Sequence, residues 1–227
     1  MIRAIRVGIA LGWTRTGPRR VGVLLGLGGL GHAGVALAVR SSSRLGAPDA
    51  VLGLAFGFGL PLIAYGAVAT ALASTDLSSA TWAAARLGLS RRGVAIGLSL
   101  SAFLTTLLVL MPGLLIGLGV AYGSLPGGAR DVFTSTGLVV LGAAAYVAVF
   151  TLASTAMKRG RARSLALFLD FLLGSGTSVL ALPFPRGHLS SLLGGEALAT
   201  LSQRQSSGFL GGLAVAALLL ALGRLRD

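Results

Sequence analysis

Apolar positions in this chain do not alternate with polar ones; they run on in blocks. Six blocks stand out, at residues 21–39, 51–73, 94–122, 133–157, 164–182 and 209–223, each dominated by Leu, Val, Ala, Gly and Phe. About 20 apolar residues of helix cross a hydrocarbon core about 30 Å thick. The pattern predicts an all-α polytopic membrane protein with six transmembrane helices. The last block is the shortest, and thinning of the bilayer or snorkelling flanks would accommodate it. Asp170 is the lone Asp, Glu, Lys or Arg within the six blocks.

The segments between the blocks carry shorter patterns. In residues 1–20, Ile2, Ile5, Ile9 and Trp13 fall at helical spacing. They predict an amphipathic interfacial helix, with Arg3 and Arg15 pointing elsewhere, Arg6 snorkelling and Pro18 ending it. The plainer alternative is a disordered basic tail. The apolar part of this segment stops at Arg15 with no small-residue cleavage site after it, so a cleavable signal is not expected. In residues 74–93, Asp76 or Thr75 is placed to cap a short helix that runs through Ala85 and ends at Gly88. Trp82 and Arg86 are four apart and can stack, and Ser90 is placed to cap the next block. This short helix is either a docking surface or an ordinary connector. Residues 183–206, with Pro183, Pro185 and His188, are apolar but too interrupted to cross. They predict short helices lying at or dipping into the outer boundary.

Composition agrees with the blocks. Charged residues make up 11% and mean hydropathy is +0.87, whereas soluble domains carry about 25% charged residues. Residues 1–227 therefore read as a single membrane domain. The net charge of +13 would suggest nucleic acid in a soluble chain, but its distribution argues for topology instead. Fourteen of the 19 basic residues fall before block one, between two and three, between four and five, or after six. They include Arg19, Arg20, Arg91, Arg92, Lys158, Arg159, Arg161, Arg163, Arg224 and Arg226. The remaining Arg40, Arg44, Arg130, Arg186 and Arg204 share the other side. Basic residues collect on the cytoplasmic side, so both termini are expected in the cytosol of a multi-pass cytoplasmic-membrane protein. Cysteine is absent, which removes disulfide and thiolate chemistry.

Candidate chemistry is sparse. Gly26 to Gly31 matches G-x-G-x-x-G but lies inside an apolar block, without the preceding strand that a dinucleotide site needs. The sequence G-x-x-x-x-G-K-[ST] does not occur, so no ATP site is expected within this chain, nor any cofactor. His32 and His188 have no second ligand at metal spacing, and no set of facing reactive residues suggests an enzyme. Glycine pairs four apart (Gly22/Gly26, Gly53/Gly57, Gly113/Gly117 and Gly208/Gly212) allow close helix packing but assign no interface. Pro61 and Pro112 can kink their helices. Asp170 at membrane depth calls for a partner or a water-filled cavity. Read structurally, it faces the bundle or reaches Arg163 or Arg159; read functionally, it is a proton or cation site. The lack of a second acid favours the structural reading.

Three stretches resemble the membrane subunit of ABC-2 type exporters. These are the basic amphipathic start, the run FGFGLPLIAYGAVATAL followed by AAARLGLSRRGVAIG, and LALPFPRGHLSSLLGG before the last block. The resemblance implies a half-transporter of six helices that pairs with a second permease protomer, as a homodimer or heterodimer. Separate ABC ATPase subunits would supply the energy, and membrane lipid would surround the pair. It also implies a cytoplasmic coupling helix within 74–93, with Asp76, Trp82, Arg86, Arg91 and Arg92 on the ATPase-docking surface, and re-entrant outer helices within 183–206. The expected function is ATP-driven export across a bacterial cytoplasmic membrane. Two alternatives remain at this level: a non-transporting membrane scaffold or assembly protein, and a proton-coupled carrier using Asp170.

Overall fold

The computed structural model describes residues 1–43, 45–123 and 128–225. Arg44 and Arg226, two of the topology-setting arginines, lie outside them. Among the described residues the ordered structure is entirely helical. It comprises α1 (Ile2–Thr16), α2 (Pro18–Ser42), α3 (Ala47–Leu54), α4 (Leu60–Ala71), α5 (Leu77–Arg86), α6 (Arg91–Tyr122), α7 (Gly128–Ala153), α8 (Arg161–Leu173), α9 (Pro185–Leu192) and α10 (Gln203–Gly223). Five stretches are long and apolar enough to cross a membrane: α2, the run Ala47–Ala71, α6, α7 and α10. The chain is thus a helical protein of membrane-spanning character.

The spine of the bundle is α6, at 32 residues about 48 Å long. Its first third packs along α1 and the rest along α2. Ala4 meets Gly93, Gly8 meets Gly97 and Gly12 meets Ser101, so α1 runs parallel to α6. Beyond a break at Gly17 (φ 70°) and Pro18, α2 continues in the same direction. His32 then lies against Gly113 and Gly117, and Arg40 donates to the Val120 carbonyl (2.7 Å). The run α3–α4 returns, bringing Ala71 level with Gly12 and Ser101. Helices α7 and α10 also run downward, side by side, with Gly211 beside Leu141 and Arg224 bonded to Thr155.

Pro61 shows how the second span tolerates its proline. A proline inside an α-helix lacks an N–H and clashes with the carbonyl four residues back. Residues Ala55–Gly59 form a π turn in which the Leu60 N–H bonds to the Ala55 carbonyl, and α4 restarts with Pro61 in its first turn. Pro112, in contrast, sits within an uninterrupted α6.

Two expectations are corrected, and α1 shows a face not foreseen: Ala4, Gly8, Gly12 and Thr16 are buried against the bundle, while of the isoleucine stripe Ile2 and Trp13 are exposed and Ile5 and Ile9 half-buried. Small side chains on this face let the α1 backbone approach α6 closely. The fifth block is not one helix: α8 has 13 residues, about 20 Å, too short to span alone. Gly174, Gly176 and the serines around them stop it, and a short 3-10 turn, Val179–Ala181, precedes α9. The sixth block is longer than expected. A reciprocal capping box between Ser202 and Gln205 starts α10 at Gln203, giving 21 residues and absorbing the end of the 183–206 segment.

Candidate functional sites at the connector and in the polar core

The connector follows the local sequence signals closely. The Asp76 carboxylate accepts from the Ser79 N–H and hydroxyl (both 2.9 Å) and caps α5. Gly88, at φ 73°, sits just past the helix end, and the Ser90 hydroxyl accepts from the Gly93 N–H to cap α6. The Arg86 guanidinium lies 3.9 Å from the centre of the Trp82 ring, and both side chains are exposed. Partial burial alone would raise the Asp76 pKa. The hydrogen bonds from Ser79, with the nearby N–H groups of Asp76 and Ser78, outweigh it and hold the carboxyl below its ordinary value.

Underneath, α5 is tied to three other elements. The Leu77 N–H donates to the Ser154 carbonyl at the end of α7 (3.1 Å). Arg163, buried in the first turn of α8, donates to the Thr75 carbonyl (3.0 Å) and the Ser154 hydroxyl (3.3 Å). Arg91 donates to the Ser78 carbonyl (3.0 Å) and hydroxyl (2.8 Å), and Arg92 reaches the Leu225 carbonyl at 3.5 Å. Ala73 and Ser74 hold left-handed backbone (φ 51° and 57°), which costs a non-glycine residue about 1–2 kcal/mol. The Arg163 bond to the next carbonyl helps hold that turn in place. The structure therefore brings Asp76, Trp82, Arg86 and Arg91 together on or against one short helix, while Arg92 reaches the Leu225 carbonyl. Arg163 is the participant that sequence reasoning missed; an arginine directly before an apolar block was the available signal.

Asp170 is buried, with partners other than those expected. Its carboxylate accepts from the Tyr146 hydroxyl (2.8 Å) and from the Arg186 backbone N–H (3.3 Å). Arg163 points to the connector instead. Because Arg186 is in the first turn of α9, Asp170 supplies an acceptor for a helix-start N–H that lacks an intrahelical one. The two broken pieces, α8 and α9, are thereby joined through a carboxylate.

In the outer segment, Pro185 opens α9 at its first position while Pro183 is exposed before it. His188 is fully buried, donates from Nε2 to the Leu182 carbonyl (2.9 Å) and stacks on Phe209 at 4.9 Å. These contacts dock α9 on α10. Of the glycine pairs, Gly113/Gly117 receives His32, whereas Gly22, Gly26, Gly53, Gly208 and Gly212 have open space where a side chain would be. Among the described residues no group of three His, Asp or Glu is placed to hold a metal ion. No protein-family model, curated protein or solved structure matches the chain.

Proposed function

We propose that the chain is the membrane-spanning permease subunit of an ATP-driven exporter of the ABC-2 type, working with separate ATPase subunits and a second permease protomer. The supporting observation is the α5 connector. It presents an exposed Trp82–Arg86 pair on one face, while its other side is bonded to α7 and α8 and its flanks lead directly into the second and third spans. A push on Trp82 would reach the bundle through Leu77, Arg163 and Arg91 without passing through a flexible loop. The excess of arginine at the end that carries α5 supports placing that end on the cytoplasmic side.

The test is copurification in mild detergent with the ATPase subunit of the same cell. A stable complex, whose ATP turnover falls when Trp82 and Arg86 are replaced by alanine, supports the permease. An isolated chain that no ATPase accompanies, with normal cellular transport after the same substitutions, would leave it a scaffold. The carrier reading has its own test: transport unaltered by Asp170→Asn would reject it.

A further inference from the structure

Away from the connector, a cavity of about 670 Å³ extends from exposed Asp49, at the start of α3, to Gly57 in the middle of the second span. Its far wall is α9 with Arg186 and Ser190, and Ser175 from the turn after α8 completes it. That volume is within the range of small-molecule sites, about 300–1,000 Å³.

Arg186 is the unusual group. Its guanidinium is held against Phe171 (4.4 Å) and Phe58 (5.4 Å), and its Nη1 is buried without a hydrogen-bond partner. The adjacent acid, Asp170, takes its hydrogen bonds from the Arg186 peptide N–H and Tyr146; the guanidinium acts on it through charge alone. A cationic fork laid against two rings, with one donor unspent, suits a phosphate or carboxylate, which accept from such forks in charge-assisted bonds. A pure anion, however, would also meet the Asp49 carboxylate at the rim. A ligand carrying both charges fits both ends.

We propose that this cavity binds a zwitterion, with its phosphate or carboxylate on the Arg186 guanidinium and its ammonium toward Asp49. A phosphoethanolamine-type lipid head group and free phosphoethanolamine share that chemistry. The proposal is independent of the ATPase reading, because binding is measured on the isolated chain.

The experiment incubates delipidated full-length protein in detergent with equimolar phosphatidylethanolamine and phosphatidylglycerol, and counts retained lipid by native mass spectrometry. The expected result is about tenfold preference for phosphatidylethanolamine, the size of one charge-assisted hydrogen bond. Arg186→Gln should reduce retention about tenfold, and Asp49→Asn, on the exposed rim, should bring the two lipids to near parity. If Arg186→Gln does not fold, Arg186→Lys keeps the charge without the fork and should still weaken retention. Displacement of the lipid by excess free phosphoethanolamine identifies a soluble ligand, and its failure to displace identifies the lipid. Equal retention of both lipids by the native chain, or unchanged retention by the Arg186 and Asp49 variants, overturns the proposal.

Discussion

Two regions of this bundle are held together by different physics. Along the α1–α6 seam, Gly8 and Gly97 let main chains touch: a side-chain carbon added at Gly97 would collide with the Ile5 carbonyl and lie 2.8 Å from the Gly8 Cα. Around the connector, arginines reach across gaps to carbonyls on other elements. The seam works by shape and has no slack. The connector works by a few directional bonds on long side chains, which can be broken and remade. A rigid joint and an adjustable one therefore meet at the start of α6.

The largest expected effect tests the rigid joint. Gly97→Val forces backbone apart and should destabilise the protein by about 3 kcal/mol, read as a fall in the thermal midpoint in detergent. Next, Arg163→Met removes two bonds from a charged donor and should cost about 2 kcal/mol. It should also speed proteolysis of the Ala73–Ser74 turn, while leaving the α1 seam protected from hydrogen exchange. A smaller loss, about 1 kcal/mol, is expected for Asp76→Ala, which deletes a cap. The Asp76 pKa is lowered on folding, so its contribution is present above the ordinary carboxylate range, near 3.9, and fades as pH falls through the lower folded value. Stability curves of the native chain and Asp76→Ala should converge in acid; parallel curves would contradict the assignment.

Gly22→Ala sharpens the contrast from the other side. Nothing lies within 4 Å of the added carbon, so replacing a mid-helix glycine should stabilise by about 0.5–1 kcal/mol. Trp82→Ala should change stability least, within about 0.5 kcal/mol, since the ring is exposed. On the proposed function, its effect should appear in copurification with the ATPase instead.

Legibility in the sequence divided along the same line. The connector could be read nearly residue by residue, because Asp76, Gly88 and Ser90 act on backbone within three or four positions of themselves. The spans were legible as blocks. The α1 seam was not: Ala4, Gly8, Gly12 and Thr16 become a packing face only when paired with Gly93, Gly97 and Ser101, some 89 positions away. The same holds for Asp170, whose partners Tyr146 and Arg186 sit on other helices. The fifth block misled because apolar composition is shared by a full span and by a helix that stops halfway, and glycine with serine at 174–178 decides between them.

The length of α6 has a further consequence. About 48 Å of helix against about 30 Å of hydrocarbon leaves roughly a dozen residues protruding. Because Ala71 and the close of α4 stand level with Ser101, the overhang is the Arg91–Ser101 portion, the part clasped by α1 and bordered by α5. That portion carries the third span past the close of α4 and is braced on two sides, by α1 and by α5. A force applied to it would be passed along α6 as one rigid rod.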